Sequence, residues 1–151
     1  MAEETLVLFK NIRNPKYSKS LQGYKKSGGY QTLKKVLGMK PEEVVQTVKD
    51  SGIRGRGGAG FPTGLKWSFM SKGTGKPSYL IANADESEPG TCKDRELMLK
   101  DPHIFLEGMI IGCYAIGCHH GYIYIRGEFF PAIESLNIAV CLLYTSPSPR
   151  D

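Results

Sequence analysis

The sequence predicts an α/β fold in which a helical segment precedes a parallel sheet. Two short apolar runs, SYLIANAD at 78–85 and YIYIR at 122–126, have the composition of strands, and the first is typical of a buried strand. Helical patterns follow each of them. Strand, helix, strand and helix in this order indicate parallel strands joined by helices. Two strands alone do not make a stable sheet, so we expect the sheet to be incomplete in this chain.

Helices are predicted on both sides of the first strand. Before it, Leu33 and Val36 have helical spacing, and Pro41 opens a second helix with a stripe of valines that ends at Gly52. Trp67 lies in a segment that can form one or two helical turns. After the strand, we predict a short surface helix at 93–101, a long apolar helix from 102 to about 118, and another that begins near residue 131.

Three segments of different character divide the chain. Residues 1–28 are polar and basic and predict an extended arm, and residues 29–140 predict a partial α/β domain. Residues 141–151, CLLYTSPSPRD, interrupt an amphipathic helix, resemble a sequencing adapter read in frame and are excluded from the fold. The first residues have no basic region before a long apolar stretch, which favours a cytoplasmic protein without a leader.

Composition excludes several classes of protein. The net charge of +5 comes from scattered lysines and arginines, and no nucleic-acid recognition motif is present. The four cysteines have spacings too irregular for a zinc or iron-sulfur site, so we expect buried free thiols. The most apolar segment, residues 109–118, is too short for a membrane helix.

A glycine-rich loop, residues 54–64 with the sequence RGRGGAGFPTG, is the first candidate site. Its G-x-G-x-x-G pattern follows a helix rather than a strand, so the ordinary dinucleotide fingerprint does not apply, and no Gly-Lys-Ser/Thr completes a P-loop. Small residues still let backbone N–H groups approach a phosphate, and Arg54, Arg56 and Lys66 add positive charge. The alternative is a flexible linker.

Three aromatic residues flank the glycines. Planar side chains beside a phosphate cradle can stack on an adenine or a flavin ring, and core packing is the alternative. For Trp67 we favour core packing, whereas for Phe61 and Phe69 the sequence leaves both interpretations open.

An acidic loop, residues 83–88, is the second candidate site. Asn83, Asp85, Glu86 and Glu88 crowd four polar side chains after an apolar strand, where a ligand with hydroxyl and amide groups would satisfy them. A divalent metal and a solvated turn are the alternatives, since Glu-Pro-Gly is typical of a turn.

The histidines offer no catalytic group in this pattern. His119 and His120 lie at a helix-to-strand junction without a nucleophile motif nearby, so capping or solvent exposure is the better interpretation. His103 is expected in the first turn of a helix that begins at Pro102. We therefore predict no catalytic residues and no metal ligands.

The longest blocks of the sequence closely resemble the flavoprotein subunit of respiratory complex I, the NADH:quinone oxidoreductase. These blocks are GIRGRGGAGFPTGLKWSFM at 52–70, NADESEPGTCKDRELM at 83–98, DPHIFLEGMIIG at 101–112 and GYIYIRGEF at 121–129. The resemblance covers roughly residues 29–140. It implies an incomplete Rossmann-like FMN-binding domain in a subunit that passes hydride from NADH to FMN and electrons to iron-sulfur clusters, toward quinone.

The resemblance also implies which residues bind the cofactors. The glycine-rich loop with Lys66 would hold the phosphate region, the start of the acidic loop would contact FMN, and Phe61, Phe69 and Glu88 would line the NADH side. The full set of predicted cofactor-binding residues is Gly55, Arg56, Gly57, Gly58, Ala59, Gly60, Phe61, Pro62, Thr63, Gly64, Lys66, Phe69, Asn83, Asp85, Glu86 and Glu88.

The chain departs from the family pattern by lacking the later paired-glutamate segment and the cysteine ligands of a four-iron, four-sulfur cluster. We expect an N-terminal fragment, inactive alone, whose complete form joins other complex I subunits, especially the thioredoxin-like two-iron subunit, on the inner face of the cell membrane. Diaphorase subunits of NAD-linked hydrogenases or formate dehydrogenases share the same blocks. A non-catalytic nucleotide-binding module is a further alternative.

Overall fold

The computed structural model describes residues 6–70 and 75–145 of the chain. Helices and strands alternate after a helical N-terminal region, as the sequence predicts. In chain order the elements are α1 (Leu21–Lys26), α2 (Gln31–Leu37), α3 (Pro41–Asp50), α4 (Thr63–Ser68), β1 (Tyr79–Ala84), α5 (Lys93–Lys100), α6 (Pro102–Ile116), β2 (His120–Ile125) and α7 (Phe130–Thr145).

The two strands pair side by side in a small parallel sheet, which confirms the predicted α/β class. One detail of the prediction is wrong, because β1 is not buried on both faces. Tyr79 is 48% exposed and Ile81 is 66% exposed, whereas Ala84 at the end of the strand is buried. The apolar composition of β1 thus belongs to a strand with one covered and one open face.

The N-terminal arm contains a packed helix, which corrects the prediction of an extended segment. The Ser20 side chain accepts a hydrogen bond from the Gly23 backbone N–H and caps α1. Tyr24 on this helix is only 3% exposed. The helix was missed because its six residues carry a single buried side chain and therefore no apolar periodicity.

The chain divides into two compact units. Of the described residues, the first contains 6–30, 83–107 and 123–145, and the second contains 31–70, 75–82 and 108–122. In the first unit, α5 packs against α7, and the apolar core includes Ala84, Met98, Leu106 and Leu136.

A group of buried polar side chains also lies in the first unit. Asp101 accepts hydrogen bonds from Asn11 and Tyr17, and its exposure is 0%. Glu107 accepts hydrogen bonds from the Tyr24 hydroxyl and from the Tyr30 backbone N–H. Burial and these carboxylates raise the pKa of Tyr17 and Tyr24, so both phenols remain protonated donors.

His103 completes this polar group from the first turn of α6, where the sequence places it. Its Nδ1 lies 2.8 Å from the Tyr30 hydroxyl, and its ring stacks on Tyr24. Tyr30 itself has a φ of 62°, a left-handed conformation that costs free energy for a residue with a side chain. The hydrogen bonds of its backbone N–H with Glu107 and of its hydroxyl with His103 hold Tyr30 in this conformation.

The second unit is built around α3, α4 and the C-terminal half of α6. Val36, Val44 and Ala115 form its buried cluster, and Trp67 packs against them, so the core-packing interpretation of Trp67 is confirmed. Gly64 is buried where α4 meets α3: a Cβ at this position would lie 2.4 Å from the Lys49 backbone nitrogen. The close approach of these helices therefore requires glycine.

Two further predictions, on the cysteines and on the C-terminal segment, agree with the structure only in part. All four thiols are free, but Cys92 and Cys141 are exposed, so burial is confirmed only for Cys118, while Cys113 is half-buried. Helix α7 continues through Thr145 into the segment predicted to be foreign, and residues 146–151 of that segment lie outside the described residues. Over residues 6–70 and 75–145, no helix is long and apolar enough to cross a membrane.

Candidate functional site

The glycine-rich loop closes on itself as a short hairpin. The Gly55 N–H donates to the Phe61 carbonyl at 2.9 Å, and the Thr63 N–H donates to the Ile53 carbonyl at 3.0 Å. Arg54 and Pro62 form an isolated antiparallel bridge between these two bonds. The two ends of the loop are thus joined, and residues 56–60 form its tip, of which 56–59 are exposed. This is a more defined shape than that of a flexible linker.

Backbone conformation favours glycine at two positions of this tip but not at Gly57. Gly58 and Gly60 have φ values of 109° and 63°, which other residues rarely adopt. Gly57 has no positive φ, yet an added Cβ there would meet no atom within 4 Å, and the same is true of Gly58 and Gly60. Because no protein atom occupies the space that a side chain at Gly57 would fill, a ligand has room to approach the backbone there.

Charge and aromatic rings surround the tip. Arg54, Arg56 and Lys66 are exposed, so their positive charge is available to an anion. Phe61 is 45% exposed and Phe69 is 65% exposed, and their ring centroids are 6.2 Å apart. These two rings are exposed rather than core residues, so their faces are accessible, and stacking on a planar ligand stays a prediction.

The acidic loop begins with an ordered turn at the end of β1. The Asn83 side-chain oxygen accepts from the Asp85 backbone N–H at 3.0 Å, and the Ser87 hydroxyl donates to the Asp85 carboxylate at 2.6 Å. Both Asn83 and Asp85 are exposed. The loop therefore presents one amide and one carboxylate to the surroundings in fixed positions.

Glu86 has a different environment from its neighbours. Its exposure is 8%, and its two carboxylate oxygens accept hydrogen bonds from the backbone N–H groups of Asp94 and Arg95 at 3.0 and 3.1 Å. These groups belong to the first turn of α5, whose free N–H groups and dipole favour a negative charge. Glu86 thus anchors the acidic loop to α5.

Glu88 starts a tight turn. The Thr91 N–H donates to the Glu88 carbonyl at 3.2 Å, and Gly90 has a φ of 82°, as a turn with proline second and glycine third requires. Glu-Pro-Gly therefore forms a turn, the local structure that the sequence analysis gave as an alternative for this loop. The Glu88 side chain is exposed.

The predicted site residues fall in both units. Those of the glycine-rich loop, with Lys66 and Phe69, lie in the second unit, and Asn83, Asp85, Glu86 and Glu88 lie in the first. Gly64 differs from the others because it packs against α3. His119 and His120 are exposed, as expected. Among the residues that the structure describes, no three His, Cys, Asp or Glu side chains are grouped as metal ligands.

The family model described as the Nuo51 FMN-binding domain matches residues 48–145. The chain belongs to this family. The match includes both loops, and it confirms the resemblance on which the sequence interpretation rests.

Two relatives of this Nuo51 domain chain are subunits of the same type of enzyme. The chain is 52% identical to the F subunit of the NADH-quinone oxidoreductase of Streptomyces coelicolor over 127 residues, which is 84% of this chain and 28% of the relative. It is 55% identical to the corresponding F subunit of Aquifex aeolicus over 129 residues, 85% of this chain and 30% of the relative. The chain therefore spans less than a third of the length of these relatives.

Among solved structures, the Nuo51 domain chain is similar to a NAD+-reducing [NiFe]-hydrogenase in its air-oxidized state. The TM-score is 0.63 at 44% sequence identity, over 66% of this chain and 18% of the hydrogenase chain. This supports the parallel α/β architecture described above.

Some features of the site could not be found from the sequence. The hydrogen bonds of Glu86 join residues eight and nine positions apart, and nothing in the local pattern distinguishes Glu86 from Glu88. The hydrogen-bonded group around His103 joins residues 73 to 90 positions apart. The one available signal was Asp94 in the first turn of α5, which marks the positive end of a helix dipole.

Proposed function

We propose that this chain provides the part of an NADH-quinone oxidoreductase F subunit that binds FMN and receives NADH. The observation that carries the proposal is the exposed tip of the glycine-rich loop, where Gly57 leaves open space for a ligand beside exposed arginines. Backbone N–H groups and positive charge are the groups that bind phosphate. FMN carries one phosphate and NADH carries two.

Each loop has a proposed role. The glycine-rich loop, residues 55–64, together with Lys66, holds the phosphate region, and Gly64 fixes the loop against α3. Asn83 and Asp85 offer an amide and a carboxylate to the hydroxyl and ring-edge groups of FMN. Phe61, Phe69 and Glu88 receive NADH. Glu86 is assigned to the same flavin contact, and its hydrogen bonds to α5 support an additional role in positioning the loop.

The chemistry needs orientation more than it needs a protein acid or base. Bound FMN supplies the acceptor for the hydride of NADH. The residues of this chain bind the phosphate, present aromatic surface to planar rings and fix hydrogen-bonding groups at the end of β1. Such positioning is a large part of the rate enhancement of a reaction between two bound groups.

The rest of the proposed pathway lies with the longer subunit and its complex. We propose that electrons leave through iron-sulfur clusters toward quinone, with a thioredoxin-like two-iron subunit as the direct partner. In this proposal the complex holds the protein at the cytoplasmic face of the cell membrane.

A second candidate function is the diaphorase subunit of a NAD-linked hydrogenase, or of a formate dehydrogenase. The similarity to a NAD+-reducing hydrogenase favours it. Both functions use the same cofactor pair, so they differ in the partner subunits rather than in the two loops described here.

A hybrid protein, called the hybrid subunit below, tests the proposal. Residues 29–140, our proposed domain limits, replace the matching segment of the Aquifex aeolicus relative, and residues 141–151 are omitted as a proposed foreign tail. The hybrid should purify with flavin absorbance and reduce ferricyanide with NADH. A hybrid that folds, by circular dichroism, but contains no flavin would contradict the proposal.

A paired substitution locates the binding within the loop. Gly57→Val should lower FMN content without loss of folding, because the added side chain meets solvent in the protein itself but obstructs a ligand. Gly127→Val is the matched control, since its Cβ also meets no atom within 4 Å. Equal FMN contents in the two variants would exclude the tip as the phosphate site.

A further inference from the structure

Helix α6 ends in a six-residue motif that brings its first and last residues together. The Gly117 N–H donates to the Tyr114 carbonyl at 3.3 Å, and the Cys118 N–H donates to the Cys113 carbonyl at 2.9 Å. Gly117 has a φ of 68°. These bonds and this conformation define a Schellman motif, in which the side chains of the first and sixth residues usually touch.

In this chain both contacting residues are cysteines. Cys118 is 6% exposed and Cys113 is half-buried, and the two thiols lie close enough to interact electrostatically. A disulfide needs its two Cα atoms within about 7 Å and its Cβ atoms directed toward each other. Cys113 and Cys118 occupy the two contacting positions of this closed helix end, so we expect a disulfide between them to need no large movement of the backbone.

We propose that Cys113 and Cys118 form a dithiol site that closes reversibly to an intramolecular disulfide. This site is separate from the proposed cofactor-binding function and does not depend on it. Its oxidant is a small-molecule disulfide such as oxidised glutathione.

The reaction takes place in two exchange steps. The Cys113 sulfur, the more exposed of the two, loses its proton and attacks oxidised glutathione, forming a mixed disulfide and releasing one glutathione thiolate, which takes up the proton. The Cys118 sulfur then attacks Cys113, breaks the mixed bond and releases a second glutathione, which takes up the Cys118 proton. Two protein thiols are oxidised and one glutathione disulfide is reduced to two thiols.

The rate of the first step should be low at neutral pH. Burial, and then the adjacent Cys118 sulfur, raise the pKa of Cys113 to about 12. Only the thiolate attacks, so little of the reactive form is present. The site is therefore best measured at equilibrium rather than by its rate of alkylation.

The test uses the 151-residue chain with Cys92→Ser and Cys141→Ser, which removes the two exposed thiols and leaves the pair. The protein is equilibrated in glutathione redox buffers, the exchange is quenched with acid, and the mass of the protein is measured by mass spectrometry. Loss of two hydrogens, reversed by dithiothreitol, should be the main product. The additional changes Cys113→Ser and Cys118→Ser should each abolish it.

The contribution of the native geometry is measured by repeating the titration in concentrated guanidinium chloride. The equilibrium constant for closure should be at least about tenfold higher in the native protein, because the motif already holds the sulfurs together. Gly117→Ala should lower the native value, because alanine disfavours the left-handed conformation. Gly127→Ala is the control, since that glycine has no positive φ and equal space.

Two outcomes would overturn the proposal. The first is a protein whose circular dichroism spectrum shows that it is folded but which gives only glutathione adducts. The other is an equilibrium constant that does not differ between native and denatured protein. The same titration in the hybrid subunit, with the hybrid's other cysteines mapped by peptide mass, provides a second folded protein in which either result counts equally.

Discussion

Glu86 is buried in a loop whose other polar residues are exposed, because its carboxylate satisfies N–H groups that α5 cannot pair internally. Hydrogen bonds from Asp94 and Arg95 reach both of its oxygens. A buried carboxylate with such partners contributes to stability, whereas the same carboxylate without them would be costly. The loop conformation thus depends on this residue whether or not a ligand is bound.

The first prediction concerns the stability contributed by Glu86. Glu86→Ala should lower the free energy of unfolding of the chain by about 2 kcal/mol, because a charged hydrogen-bond acceptor at a helix N-terminus is lost. Urea unfolding followed by circular dichroism measures this change. Glu88→Ala is the control and should change it by less than about 0.5 kcal/mol, because this side chain is exposed. Equal effects would show that the α5 contacts contribute little.

The second prediction concerns the donor preference of the hybrid subunit. Glu88 is exposed next to a tight turn, and a carboxylate on the NADH side would repel the extra phosphate of NADPH. Glu88→Gln should retain FMN and NADH oxidation while narrowing the difference between the two donors by about tenfold. The specificity constants for NADH and NADPH, measured for Glu88→Gln and for the unsubstituted hybrid subunit, test this expectation. An unchanged ratio would place Glu88 away from the ribose, and loss of FMN would place it at the flavin.

At the level of elements, helices α3 and α4 make a close approach that depends on a single residue. Gly64 has no side chain, and the backbone of Lys49 occupies the space that a side chain would need. Backbone atoms cannot move aside as the end of a flexible side chain can, so a methyl group here must separate the helices.

The third prediction follows from this contact. Gly64→Ala should destabilise the chain by about 2 kcal/mol, within the usual range for overpacking. Thermal unfolding measures the effect. Gly57→Ala in the same loop should be close to neutral, because its added Cβ meets no protein atom. If Gly64→Ala were neutral as well, the two helices would not be in the contact described.

Elements with strong local signals were predictable, and those set by distant contacts were not. Pro41 and Pro102 marked helix starts, and the alternating side chains of β2 marked a strand. Helix α1 was missed because Tyr24 is its only buried residue, held by a carboxylate 83 positions away. The open face of β1 was missed because apolar composition does not reveal how many faces are covered. In the site, residue types were predictable, but the contacts of Glu86 were not.

At the scale of the whole molecule, the polar group around His103 should make stability depend on pH. His103 is 1% exposed, and burial lowers its pKa, an effect that nearby Asp101 opposes and Lys25 reinforces. The rings of Tyr24 and Tyr30 contact His103, and Glu107 accepts hydrogen bonds from both tyrosines. In the unfolded chain His103 binds a proton near pH 6.5, whereas in the folded chain it binds that proton only at lower pH. The contribution of neutral His103 to the free energy of unfolding is therefore complete above pH 6.5 and is lost as the pH falls below that value.

The fourth prediction tests this sign. Between about pH 7.5 and 5.5, the free energy of unfolding should fall by about 1 kcal/mol more in the unsubstituted chain than in His103→Asn, which has no titratable ring. Urea unfolding at the two pH values measures the difference. His119→Asn is the control, since His119 is exposed and should leave the pH dependence unchanged. Identical pH dependence in all three proteins would contradict the assignment to His103.

The first unit is assembled from three stretches of chain, and this has a consequence during synthesis. Tyr24 and its acceptor Glu107 are 83 positions apart, so the arm leaves the ribosome long before its partner. At a translation rate of about 5–20 residues per second, the delay is about 4–17 s. Throughout that interval the apolar rings of Tyr24 and Tyr30 have no native partner on α6. A nascent chain stalled shortly before residue 103 should therefore present this arm to chaperones and proteases, and one stalled well beyond residue 145 should not.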